Sequence, residues 1–191
     1  MSNGNGEGSA KIIFSEAAAI HLGNLDDNPR IKPSTRKYWR ECLTALQKSW
    51  PDLKETEIRK ITQGNCKDWA RAYGKTVSPT RYNGTISVLR HVLNIAVEAG
   101  VVYSNAAAAV KRAPVRCKEI KLPRIDKFNA LIAEMRAGHS RDSINCADFA
   151  AGLAFTGCRI SEAREIAWRD VDFDAGEIVV RGDANTGTKN W

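Results

Sequence analysis

The stretch Thr156-Gly157-Cys158-Arg159-Ile160-Ser161-Glu162 combines a turn, a helix start and an arginine one step inside that helix. Backbone N–H groups at a helix N-terminus attract anions, and an arginine fork beside them grips a phosphate at two points. Glu162, three residues on, is a helix neighbour of Arg159 and can brace its guanidinium. This points to the holding of a phosphodiester. An ordinary helix-start arginine paired with Glu162 would have the same sequence, so the pair by itself leaves both readings open.

The elements around that pair can be read from periodicity and breakers. Residues 143–155 form a largely buried, Ala-rich helix ending at Thr156, and the Arg159 helix runs to about Trp168. Val171 and Phe173 alternate with Asp172 and Asp174, Asp174-Ala175-Gly176 makes a turn, and Ile178-Val179-Val180 returns as a strand. Gly182 to Gly187 is a second turn, and Thr188 to Trp191 begins a third strand. Upstream, Pro123 starts a helix through about Met135 with Ile125, Phe128, Leu131 and Ile132 on its apolar side, followed by a loop over 136–141.

Residues 11–112 read as a helical bundle of about a hundred residues, an ordinary domain size. Its first helix runs from about Phe14 to Leu22, with Ser15 or a neighbour as cap and Gly23-Asn24 as the stop. Pro33-Ser34-Thr35 starts a second, to about Trp50, with Trp39, Cys42, Leu43, Leu46 and Trp50 at three- and four-residue steps. The other side of that helix offers Arg36, Lys37, Arg40, Gln47 and Lys48. A short helix spans about Asn65 to Tyr73, with Gly74 as its C-cap. Ser78-Pro79-Thr80 opens the longest helix. Its buried stripe is Tyr82, Ile86, Leu89, Leu93, Ala96 and Val97, and Gly100 stops it. Arg81, Asn83, Ser87, Arg90 and Asn94 fall on or beside the opposite face. A last short helix is expected near 106–111. Residues 1–10 (MSNGNGEGSA) are expected to be a disordered tail, residues 113–122 a linker, and residues 123–191 a second domain.

Charge separates the two parts. The formal net charge is +7, yet residues 11–116 carry 18 Lys/Arg against 9 Asp/Glu, whereas residues 117–191 carry 11 against 12. The basic character belongs to the bundle, as expected of a part that tracks a nucleic-acid backbone. A solvated basic surface would look alike by charge alone. The five cysteines, Cys42, Cys66, Cys117, Cys146 and Cys158, show no Cys-x-x-Cys spacing, and most sit among apolar residues as small core groups of a reducing compartment. His21, His91 and His139 are isolated from each other and from carboxylate pairs, so no metal site and no cofactor are expected. No apolar run approaches the roughly 20 residues that span a bilayer. No membrane partner is expected, and the cytoplasm is the default compartment.

The run from Phe155 to Ala163, followed by Trp168-Arg169-Asp170-Val171-Asp172-Phe173-Asp174, resembles the first catalytic box of the tyrosine recombinases, the phage-integrase family. The bundle resembles that family's SAM-like core-binding domain. Ser78-Pro79-Thr80-Arg81-Tyr82-Asn83 opens the long helix, and Asn94-Ile95-Ala96-Val97-Glu98-Ala99-Gly100 closes it. Ser104-Asn105-Ala106 falls where the family usually has Asn-Pro-Ala. The fold implied is mainly α: a helical core-binding bundle, then the start of a mixed α/β catalytic domain with a short antiparallel hairpin.

The resemblance carries roles with it. Arg159 matches the first catalytic arginine, which holds the scissile phosphate and offsets charge in the transition state. Glu162 matches the acidic position that braces it. Lys189 falls where the family places a hairpin lysine able to protonate the leaving 5′-oxygen; an exposed turn lysine is the plain alternative. The family's second box, its later His or Trp and its nucleophilic tyrosine lie downstream of the residues matched. Tyr38, Tyr73, Tyr82 and Tyr103 all fall in the bundle and match none of these. This chain alone is therefore expected to be a truncated recombinase, unable to form the 3′-phosphotyrosine intermediate. Duplex DNA of the attachment-site type is the implied partner, with homo-oligomers on DNA for full-length members. Arg36, Lys37, Arg40, Arg81, Asn83, Ser87 and Arg90 are the candidate DNA contacts. A DNA-binding regulatory module without chemistry is the alternative.

Overall fold

The computed structural model describes residues 11–117 and 119–181. The expected tail, the second turn and the third strand lie outside the described residues. Two units divide the chain, Met1–Cys117 and Lys118–Trp191. The described residues are mainly helical, with seven α-helices and one two-stranded antiparallel hairpin. Among the described residues no helix is long and apolar enough to cross a membrane.

In the first unit, helix α1 (Phe14–Asp27) packs with α2 (Pro33–Ser49) and α4 (Pro79–Glu98), while α3 (Gln63–Tyr73) and two 3-10 turns, Pro51–Leu53 and Ile58–Lys60, complete the bundle. Phe14, Leu46, Leu53, Ile86, Leu89 and Leu93 are among the fully buried side chains of one continuous core. Stacked rings cross it, with centroids 5.8 Å apart for Trp50–Trp69, 5.2 Å for Trp69–Tyr73 and 6.5 Å for Tyr73–Tyr82.

α1 starts without a side-chain cap at Ser15. The orphan N–H groups of Phe14 and Ser15 donate instead to the Thr56 and Lys54 carbonyls, and Glu16 accepts from the Ile13 N–H. The helix also runs past Gly23-Asn24. A helical glycine costs about 1 kcal/mol, but burying a leucine side chain contributes roughly 1.5–3 kcal/mol, and Leu25 is buried one turn's reach further on.

α3 opens on Thr62, whose hydroxyl accepts from the Asn65 N–H, and α4 on Ser78, which does the same for Arg81. Of the stripe expected on α4, Ile86, Leu89, Leu93 and Ala96 are buried, whereas Tyr82 and Val97 are half-buried. Thr85 and Ser87 are buried as well. The short helix expected over 106–111 is a run of turns. The carbonyls of Ala107, Ala108 and Val110 accept from the Arg90 guanidinium, and Asn105 Oδ1 accepts from the Ala107 N–H at 2.9 Å. The Ala107 carbonyl also accepts from the Val110 N–H at 3.2 Å, so the segment closes isolated turns while its carbonyls gather on Arg90.

In the second unit, α5 (Ile125–Ala137) packs on α6 (Ser143–Thr156) through a Phe128–Phe155 edge contact at 6.1 Å and an Arg136–Asp148 ion pair. α6 is not largely buried. Only Ala147 of its residues is, and Phe155 is 74% exposed. Alanine content alone does not bury a helix, which needs facing partners, and here α5 covers one side. The Arg159 helix is likewise shorter than expected: α7 covers Ile160–Ala163, and the chain reaches Trp168–Asp170 as a 3-10 turn. Strand β1 (Val171–Asp172) pairs with β2 (Glu177–Ile178) around Gly176, whose φ of 68° suits a residue without a Cβ. Asp172 Oδ1 accepts from the Asp174 and Ala175 N–H groups and closes the turn.

All five cysteines are free thiols, but only Cys42 and Cys66 are buried; Cys117 and Cys146 are exposed. Burial pushes the Cys66 thiol up to about 11.

Candidate functional site

Positions 33, 36/37, 40/41, 44 and 48 of α2 share one side at helical spacing, and that side borders a groove of about 1040 Å³. Arg36, Lys37, Arg40 and Lys48 from α2 and Arg81 from the first turn of α4 supply its cations; Asp26 and Glu41 supply anions. Pro33, Ala45, Tyr73 and Val77 add apolar surface. Four of the expected DNA contacts, Arg36, Lys37, Arg40 and Arg81, thus meet in one place.

Each cation is held differently. Arg36 Nη2 donates to the Asn28 carbonyl at 2.8 Å, while its Nε is buried without a partner. Arg40 Nη2 reaches both Asp26 oxygens, at 2.6 and 2.5 Å. Arg81 lies over the Tyr38 ring, 5.6 Å from its centroid, and donates to Cys42 Sγ at 3.6 Å, with Glu41 at 3.7 Å. Burial, followed by the hydrogen bond to Cys42, pushes the Tyr38 phenol above its ordinary value. Lys37 and Lys48 are exposed.

The other three expected contacts are engaged by the chain itself. Asn83 Nδ2 donates to the Ala113 carbonyl at 2.9 Å and Oδ1 accepts from the Ala113 N–H at 2.8 Å. Ser87 is buried, donates to the Asn83 carbonyl and accepts from Arg112 Nη2 at 2.7 Å. Arg90 gathers the carbonyls of the 107–110 turn. These side chains pin the segment leaving the bundle against α4. Lys48 adds to the groove at a spacing visible in the sequence. Asp26, on another helix, gave no such signal.

In the second unit, Gly157 ends α6 in the left-handed region at φ 68°, with its N–H on the Leu153 carbonyl at 3.0 Å. The Thr156 hydroxyl accepts from the Cys158 N–H at 3.3 Å. This turn sets Arg159 as the residue flanking α7, in extended conformation, rather than one step inside the helix. Glu162 is 9% exposed and takes Arg159 twice: Oε2 accepts the backbone N–H at 3.0 Å, and Oε1 the Nη1 at 2.7 Å. The Arg159 side chain itself is nearly half exposed. A carboxylate held at both ends of one arginine fixes that arginine's rotamer, which is the arrangement a phosphate-gripping guanidinium needs.

Asp170 closes the same unit. Its side chain is 2% exposed, the carboxylate accepts from Arg181 Nε at 2.6 Å and from the Ala167 N–H at 3.1 Å, and both hold it below the usual carboxylate range. Arg181 therefore pairs with a carboxylate that solvent barely reaches. Lys189 lies outside the described residues.

No protein-family model matches the chain. An integrase of Mycobacterium phage FRAT1 is 28% identical over 149 residues, covering 76% of this chain and 42% of that protein. The ICEBs1 integrase of Bacillus subtilis (strain 168) is 24% identical over 166 residues, 86% of this chain and 43% of its own length. The chain spans less than half the length of these relatives. Among solved structures, the Tn1549 transposon integrase in complex with circular intermediate DNA matches with a TM-score of 0.66 at 18% identity, over 86% of this chain and 53% of that one. The lambda integrase dimer bound to a COC' core site matches with a TM-score of 0.71 at 17% identity, over 94% of this chain and 52% of that one. These two likenesses show the fold. In sequence, the chain is similar to the two integrases, and the box running from Thr156 to Glu162 lies within its second unit.

Proposed function

We propose that this chain is the part of a site-specific DNA recombinase that grips duplex DNA and supplies the first phosphate-binding arginine. The bundle holds the duplex along the α2 groove, and Arg159, braced by Glu162, holds the scissile phosphate. Lys189 protonates the leaving 5′-oxygen. The reaction of the whole protein is strand cleavage and rejoining through a 3′-phosphotyrosine, at attachment-site DNA and within a homo-oligomer.

The observation that carries this reading is the convergence of Arg36, Lys37, Arg40, Lys48 and Arg81 on one groove. From position 36 to 48 the helix rises roughly 18 Å, enough to cross a major groove of about 12 Å and reach phosphates on both sides. Exposed Lys37 and Lys48 suit phosphates. Arg81, laid on Tyr38 and restrained by Cys42 and Glu41, suits a base edge or one fixed phosphate.

A salt titration of duplex binding tests it. Log affinity should fall linearly with log salt, by roughly 0.9 per neutralised phosphate, and Lys37→Ala and Lys48→Ala should each remove about one such contact. An affinity that does not respond to salt would overturn DNA binding by this surface.

A further inference from the structure

A carboxylate in the last turn of a helix opposes the helix dipole, which favours cations there. Yet α1 ends Leu25-Asp26-Asp27 with no basic residue in that turn. What offsets Asp26 stands on α2, fourteen positions away: Arg40 Nη2, within 2.6 Å of both carboxylate oxygens. Both residues line the groove, and both side chains are 46% exposed. A pair this open to water is weak. It yields to an anion that fits better and persists against one that fits worse.

We propose that Asp26 is a specificity-setting residue of the α2 groove, occupying Arg40 as an internal substitute for a DNA phosphate. Arg40 is then released only to a duplex that fits the rest of the groove. On DNA of arbitrary sequence, held loosely through Lys37 and Lys48, Arg40 stays on Asp26 and one phosphate goes without a partner. Discrimination is gained by weakening the wrong complex rather than by adding contacts to the right one. The inference rests on the DNA-binding reading above.

The test uses the full chain and a duplex of arbitrary sequence, read by fluorescence anisotropy across a salt series. Asp26→Asn should tighten binding about two- to fivefold and steepen the salt slope by roughly 0.9, one added phosphate contact. In an Arg40→Ala background the same substitution should change neither quantity. Asp26→Ser is carried in parallel, and thermal melts identify either variant if it fails to fold. An unchanged slope in a folded Asp26 variant, beside a salt-dependent wild type, overturns this inference and leaves DNA binding standing. Equal tightening with and without Arg40 also overturns it, because Asp26 would then be a general repulsive charge. A wild type whose binding ignores salt overturns both readings together.

Discussion

Gly84 sits against the Tyr38 hydroxyl where α4 meets α2, so close that a Cβ there would overlap the phenol oxygen and stand 3.1 Å from Cys42 Sγ. The same phenol ring carries the Arg81 guanidinium. One glycine therefore lets two helices approach and also keeps a groove cation on its shelf. Gly84→Val should cost about 1–3 kcal/mol by overpacking, seen as a lower urea midpoint, and should weaken duplex binding by displacing Tyr38. A midpoint equal to wild type would show that the contact yields without cost.

His21 predicts acid sensitivity of the bundle. It is 6% exposed and its Nε2 has no hydrogen-bond partner; contrary to the isolation expected from the sequence, packing of α1 on α4 brings it edge-on to His91 at 5.5 Å, beside Trp39 at 6.0 Å. Burial first, and the neighbouring His91 second, lower it from 6.5 to about 4. The folded value lies below the unfolded one, so the unfolded chain takes up the proton first. Stability is full above about pH 6.5, declines as pH falls, and the loss is complete near pH 4, amounting to about 3 kcal/mol. His91, lowered by its own burial, acts in the same direction. Urea midpoints at pH 7 and pH 5 should differ in the wild type and much less in His21→Leu. Equal pH responses of the two proteins would rule out His21 as the origin.

Asn83 predicts where the chain leaving the bundle comes loose. Both ends of its amide are bonded to the Ala113 backbone. Asn83→Ala removes both hydrogen bonds, at a cost of about 1–3 kcal/mol, and frees the segment after Val110. Limited trypsin digestion should then cut faster at Lys111, Arg112 and Arg116, with cleavage inside α4 unchanged. Protection equal to wild type would show that the Tyr82 hydroxyl, donating to the Lys111 carbonyl at 3.4 Å, and Arg112 on Ser87 suffice to hold this segment.

Asp170 predicts a hairpin that loosens in acid. Arg181 first, and the Ala167 N–H second, hold its carboxyl below the ordinary 3.8. A depressed carboxylate stabilises the fold above its unfolded value and stops doing so as pH falls through its folded value. The Val179 N–H, bonded to the Asp170 carbonyl at 2.8 Å, reports the change. Relative to a hairpin-free reference amide, its exchange protection should drop below about pH 4 in the wild type. Asp170→Asn should lack that drop, and a drop retained in the variant would assign it to another group.

Spacing along the chain determined what neighbours on one helix decide. The Cys42-Leu43-Leu46 stripe, the Ser78-Pro79 start of α4, the turn at Gly157 and the pairing of Arg159 with Glu162 all depend on residues within four positions of each other, and a sequence displays those directly. The cationic side of α2 was legible for the same reason.

Tertiary structure alone decided how distant polar groups are used. Asn83, Ser87 and Arg90 have the types and spacing of an open binding face, yet their atoms serve residues 15 to 30 positions away in the chain. Arg40 and Asp26 lie on different helices, and Leu25 carried α1 past a glycine that reads locally as a stop. A hydrogen-bonding group takes whichever partner packing brings within 3 Å, and for these residues that partner comes from elsewhere in the fold.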